Sequence, residues 1–274
     1  MKDRPPVELR PDLRHPRPRA SWALRCRIAV ATLLSCLVVT VGSLLMLVVA
    51  VLTLFQARRL YAEVIARGLA RFSLWLYGVR IVEHRTGPFP QTQTVYISNH
   101  TSSLDVLVIM GLGLPNSRYF MSGFLRAIPP VWLVGSLIGI FWTVPQRFPE
   151  RRTRIFQNAD RRLRRTGESV FLTPEGQVTG RFNKGAFHLA TSLGAPILPM
   201  FIHIPNDVDP GPLDAGESHA IRPGIVDVYY KPPIPTTDWK AEEVPARRDS
   251  VRALYIAWRS ELGLPPNSAY EAPS

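Results

Sequence analysis

Cysteine and acid are both scarce in this sequence. Of 274 residues only Cys26 and Cys36 are cysteines. Both lie beside or inside an apolar segment, so no disulfide framework and no zinc-ligand cluster can be built, and a reducing compartment is the default. Acidic residues number 21 against 33 lysines and arginines, a formal net charge of +12. That balance favours phosphate groups, anionic lipid head groups or nucleic acid as partners, without choosing among them. No internal repeat is present, and there is no G-x-S-x-G run of the kind that builds a serine nucleophile elbow.

What is present is unevenly placed. The 26 prolines cluster in the first 18 residues, around Pro129 and Pro130, and from Pro205 onward, so both ends are expected to be tails. The strongest signal is Ile28 to Phe55, a run with no charge, no proline and one glycine. As a helix it would cover roughly 40 Å, more than the roughly 30 Å of a bilayer's hydrocarbon core, and it reads as a membrane helix. A cleaved signal peptide would carry only about 7 to 15 apolar residues before small ones, whereas this run ends at Arg58 and Arg59. Basic residues flank it on both sides, so the positive-inside rule does not orient it. A spanning helix and one that dips into a leaflet and returns both stay open. From Arg59 to Val79 an apolar stripe of Tyr61, Val64, Ile65, Leu69, Phe72 and Leu76 opposes Arg59, Glu63, Arg67 and Arg71. This amphipathic helix either lies in the head-group plane or docks on the following domain.

After Ile81 short β-like runs alternate with helical patterns. Thr94 to Ser98, Ser169 to Thr173, Ala195 to His203 and Ile225 to Lys231 read as strands, and Asp105 to Leu112 and Glu150 to Arg165 as helices, which predicts an α/β layered domain. The expected division is a basic tail over 1–27, a membrane-anchoring helical segment over 28–80, the α/β domain over 81–262 and a tail over 263–274. The seven arginines between Glu150 and Arg165 read as a solvated helix face ahead of a nucleic-acid contact, since no recognised nucleic-acid motif accompanies them.

Residues 98 to 105 are SNHTSSLD, placed between a strand and an apolar helix. Such a loop lets Asp105 fold back on His100 and hold one ring nitrogen protonated. The other nitrogen is then left to take a proton from an alcohol. Ser102, Ser103 and Asp105 read equally as helix caps. Farther on, TPEG places Glu175 at a strand end, with Arg181 and Lys184 close behind in GRFNKGAF, cations suited to a phosphate.

These blocks together resemble the glycerolipid acyltransferase family, typified by 1-acylglycerol-3-phosphate acyltransferases. The family's Asn-His-x4-Asp block is complete as Asn99, His100 and Asp105, and TPEG keeps Pro174, Glu175 and Gly176 of its third block. Phe182, Lys184, Gly185, Ala186 and Phe187 match the run that follows, and APILPMF over 195–201 matches the fourth block. Departures are Gln146 before Arg147, where an acid is usual, and Val178, where an arginine is usual. The resemblance implies direct acyl transfer from acyl-CoA or acyl carrier protein to a lysophospholipid hydroxyl, with His100 as base and Asp105 orienting it. Asn99, Arg147, Glu175, Gly176, Arg181 and Lys184 would bind substrate, and no cofactor or metal is expected. It implies an α/β fold with a mixed sheet flanked by helices behind an N-terminal helical membrane motif, in an enzyme at a membrane, the inner membrane in a bacterium, with its catalytic domain facing the cytoplasm. Another lyso-lipid such as lyso-ornithine lipid as acceptor, or a degenerate lipid-binding module, are the alternatives.

Overall fold

The computed structural model describes residues 21–100, 102, 104–175, 182–205, 207–209 and 221–264. The apolar run forms α1, Trp22–Leu52, whose Ser21 cap accepts the Leu24 amide at 3.2 Å. It therefore starts six residues before the predicted point, because Ser21 offers a cap and Trp22 to Arg27 contain neither proline nor glycine. Leu54 and Phe55, both at positive φ, reverse the chain. One π-helical turn, Leu60–Ile65, leads into α2, Ala66–Leu76.

The stripe of α1 that packs against the protein consists of the small residues Ala31, Ser35, Gly42, Ser43 and Ala50 together with Met46. A Cβ at Gly42 would strike the Leu69 side chain of α2, so the absence of a side chain sets the approach of the two helices. The rest of α1 is an apolar skin of exposed Leu33, Leu37, Leu44, Leu45 and Val48. At 31 residues it is long and apolar enough to cross a membrane. The stripe expected on α2 differs from the one found. Tyr61, Ala62, Ala66, Ala70 and Leu74 face the core, while Val64, Phe72 and Trp75 point outward. Close helix packing selects the small residues for the inner face and leaves large ones outside. Arg71, assigned to the outer polar face, donates to the Gly111 carbonyl at 2.7 Å, where a cation suits a helix C-terminus.

Seven strands follow: β1 Val79–His84, β2 Val95–Ser98, β3 Ser117–Ser122, β4 Phe141–Thr143, β5 Ser169–Leu172, β6 Ile197–His203 and β7 Gly224–Tyr230. They form one sheet in the order β1-β7-β6-β2-β5-β3-β4, parallel throughout except for the antiparallel β6–β7 pair. Strands β2, β5 and β6 are buried at every position because helices cover both faces. Tyr96, Phe171, Met200 and Ile202 pack under α1, α2, α3 (Asp105–Leu112) and α4 (Pro129–Ile138). Ile97, Val170, Leu172 and Phe201 pack under α5 (Pro149–Thr166), α6 (Gly185–Leu193) and α7 (Val244–Glu261). Strands β1, β3 and β4 and helices α4, α6 and α7 add to the elements predicted. The proline-rich stretch after Pro205 is not all tail, since it contains β7 and α7.

The N-terminal helices are tied to the sheet by a buried ion cluster. Glu168 accepts from both Arg58 and Arg118, and Arg58 also donates to the carbonyls of Ser117 at 3.3 Å and Ile138 at 3.0 Å. Burial works against a charged Glu168, but the Arg118 hydrogen bond and the charge of Arg58 outweigh it and hold the carboxyl below its ordinary value.

Candidate active site

Adjacent strands β2 and β5 send their chains in opposite directions. From β2 the chain crosses by α3 to β3 on one side, and from β5 it crosses by α6 to β6 on the other. The crevice outside the carboxyl ends of such a strand pair is where open α/β sheets bind ligands. A cleft of about 250 Å³ lies there, lined by His100 and Asp105, by Phe120 and Met121 of β3, by Thr173 and Pro174 after β5, and by Arg152 and Phe156 of α5.

SNHTSSLD occupies the turn from β2 into α3. Asn99 is buried, and its side-chain amide is used at both ends by one backbone position. Its Nδ2 donates to the Ile202 carbonyl and its Oδ1 accepts the Ile202 amide, each at 2.8 Å. Asn99 therefore pins the end of β2 to β6 and is not among the residues lining the cleft. From α7, the buried Tyr255 hydroxyl reaches the carbonyls of Ile97 at 3.0 Å and Met200 at 2.9 Å, clamping the same two strands.

The Nδ1 atom of His100 lies 2.6 Å from Oδ2 of Asp105, which also accepts the Ser102 amide at 3.1 Å. Asp105 is 1 % exposed at the first turn of α3. Ser102 serves both roles open to it. Its hydroxyl accepts the Leu104 amide at 2.9 Å and donates to the buried carboxylate of Asp209. Burial alone disfavours an imidazolium at His100, but the hydrogen bond and charge of Asp105, helped by the charge of Glu175, outweigh it and raise the ring above its ordinary value. With Nδ1 held by the carboxylate, Nε2 is the nitrogen left for the cleft. That is the arrangement of a general base with an orienting acid.

Glu175 is buried near this pair. Asn183 fixes the chain around it: its amide N–H and its side chain reach the Pro174 carbonyl at 2.8 and 2.9 Å, and the side chain also reaches the Glu175 carbonyl at 3.1 Å. The TPEG block and the NKGAF run are thus joined. Gly185 lets α6 approach α5, because a Cβ there would enter the Phe156 ring. Gly176 and Arg181 lie outside the described residues. Lys184 is exposed at the start of α6, between cleft-lining Asn183 and Gly185. Arg147 is exposed, its guanidinium 5.1 Å from the Phe148 ring centroid, whereas Gln146 lines the cleft.

Two residues were missed by sequence reasoning. Arg152, whose Nη1 donates to the Val144 carbonyl at 3.1 Å, is a cation in the cleft wall. It was read as one of seven surface arginines, and only its position on the inner side of α5 distinguishes it. Asp209 carries no motif, and its contact with Ser102 spans 107 positions, so no local signal could have found it.

The family model described as Acyltransferase matches residues 80–203, which contain β2, the SNHTSSLD turn and the cleft walls. Over this segment the chain is similar to glycerolipid acyltransferases. It is 27% identical over 237 residues to a chloroplast 1-acyl-sn-glycerol-3-phosphate acyltransferase of Brassica napus, covering 82% of this chain and 65% of that protein. It is 29% identical over 198 residues to the mouse 1-acyl-sn-glycerol-3-phosphate acyltransferase alpha, covering 69% and 66%. The chain thus spans about two thirds of the length of these relatives. In fold it is similar to the crystal structure of the 1-acyl-sn-glycerophosphate acyltransferase of Thermotoga maritima, with a TM-score of 0.61 at 19% identity over 84% of this chain and 97% of that one.

Proposed function

We propose that this protein transfers a fatty acyl group from a thioester donor, acyl-CoA or acyl carrier protein, to the free hydroxyl of 1-acylglycerol-3-phosphate, forming phosphatidate at a membrane. The observation that carries this reading is the His100–Asp105 contact at 2.6 Å on the wall of the switch-point cleft. Nε2 of His100 takes the proton from the acceptor hydroxyl as its oxygen attacks the thioester carbonyl carbon. Collapse of the tetrahedral intermediate breaks the C–S bond, and the proton passes from His100 to the leaving thiolate. Ester and free thiol are the products, and no acyl-enzyme forms.

Arg152 is the cation best placed to receive the acceptor's phosphate, with Arg147, Arg181 and Lys184 as further candidates and with Glu175 and Gly176 beside the glycerol. The acyl chain has an apolar route. A second cavity of about 100 Å³, bounded by Leu69 and Ala70 of α2, Met110 of α3 and Val134 of α4, shares Val106 and Met121 with the cleft. The apolar skin of α1 with Phe72, Trp75, Phe124 and Trp132 would sit in the bilayer that holds acceptor and product.

Thioester-dependent acylation across a panel of lysophospholipids and lyso-ornithine lipid tests the reading. Wild type should acylate lysophosphatidate, and His100→Ala should lose about 10²- to 10⁴-fold in kcat, with Asp105→Asn also impaired. Unchanged activity in His100→Ala would sink the mechanism. A wild type active only on another acceptor would reassign the substrate, and one inactive on every acceptor would favour a lipid-binding module.

A further inference from the structure

We infer that the outer face of α5 is a docking surface for an acidic carrier protein that delivers the acyl thioester; this rests on the acyl-transfer reading above. Arg151, Arg154, Arg161 and Arg165 stand at i, i+3, i+10 and i+14 of the helix, so they project from one stripe. All four are exposed, opposite the buried Ala159 and Leu163. Among the described residues none of the four stands in an ion pair. Arg161 donates to Asn158 at 2.6 Å, and Arg151 lies 5.5 Å from the Phe148 ring centroid. Arg164, off the stripe, is by contrast paired with Asp160 at 3.1 Å. Like charges along one helix face repel, and an acidic partner would relieve that repulsion.

Length and position identify the partner's chemistry. From Arg151 to Arg165 the stripe runs about 21 Å, a match for an acidic helix and far longer than one phosphate cluster. The same helix gives Arg152 and Phe156 to the cleft wall, so the ridge starts beside the site where a carrier must present its thioester. It also lies on the sheet face of α6 and α7, opposite the face that packs α1. A bilayer holding the skin of α1 lies across the sheet from it, which directs the ridge to a soluble protein.

The test uses the full-length protein in detergent with palmitoyl–acyl carrier protein and palmitoyl-CoA as donors, comparing wild type with Arg154→Glu/Arg161→Glu. The expected result is a rise of about tenfold in KM for the carrier donor, with a weaker salt dependence, while KM for the CoA donor and both kcat values stay within about twofold. An unchanged carrier KM, an equal rise for both donors, or a wild type that uses the CoA donor but not the carrier overturns the inference. So does loss of binding to anionic phospholipid vesicles or to duplex DNA with carrier kinetics intact, which would assign the ridge to membrane or nucleic acid. Anisotropy of fluorescently labelled carrier protein reads the surface without turnover. Binding to wild type that is lost in the double variant upholds docking even if acyl transfer fails, and no binding to wild type overturns it.

Discussion

At the scale of single residues, the chemistry depends on which side chains surround one imidazole. Asp105 and Glu175 both raise the proton affinity of His100 against the opposing effect of burial. A base must be neutral to act, so the acidic limb of the kcat/KM profile should lie above the ordinary imidazole value of about 6.5. Glu175→Gln removes one of the raising charges while leaving the Asp105 hydrogen bond in place. Its limb should therefore move to lower pH, read from initial rates between pH 5 and 9; a limb that stays put or moves upward would contradict the coupling. The His100–Asp105 pair was legible in sequence because both members lie in one short loop between a recognisable strand and helix. Asn99 was legible as a motif residue, but its tie to β6 was not, since its partner Ile202 is 103 positions away.

At the scale of elements, small residues decide where helices approach and where space is left. Ala66 and Ala70 on α2 keep open the apolar cavity that adjoins the cleft. Ala70→Phe should fill it and shift donor preference toward shorter acyl chains. Each methylene denied burial costs about 0.8 kcal/mol, or about fourfold in kcat/KM. A donor-length series from C8 to C18 checks this, and an unchanged profile would remove the cavity from the acyl path. Helix α1 was readable as an uninterrupted apolar run, and α3 and α5 as helical patterns between strands. The edge strands β1 and β4 were not, because Val79–His84 carries charges and Phe141–Thr143 is only three residues long.

At the scale of the whole molecule, the N-terminal helices and the sheet are one packed body joined through Glu168. Its carboxylate pairs with Arg58, from the segment between α1 and α2, and with Arg118, from β3, with side-chain exposures of 17%, 8% and 5% for Arg58, Glu168 and Arg118. Glu168→Gln leaves two arginines with little solvent, and breaking a buried pair in this way costs about 3 to 5 kcal/mol. The exposed pair of Glu243 and Arg247 supplies the control, since solvent screens it and Glu243→Gln should leave the unfolding temperature nearly unchanged. Thermal unfolding of the detergent-solubilised protein distinguishes the two, and equal losses would show that the cluster is not what joins the segments.

Sequence alone determined the α/β class, the long apolar helix and the His100–Asp105 pair, because periodicity, composition and short-range spacing are local properties of the chain. Tertiary structure decided which of the α5 arginines enters the cleft, which carboxylate supports Ser102, and that Asn99 ties strands together. Those outcomes depend on strand order and helix rotation, which bring together residues a hundred positions apart and give neighbours on one helix opposite surroundings.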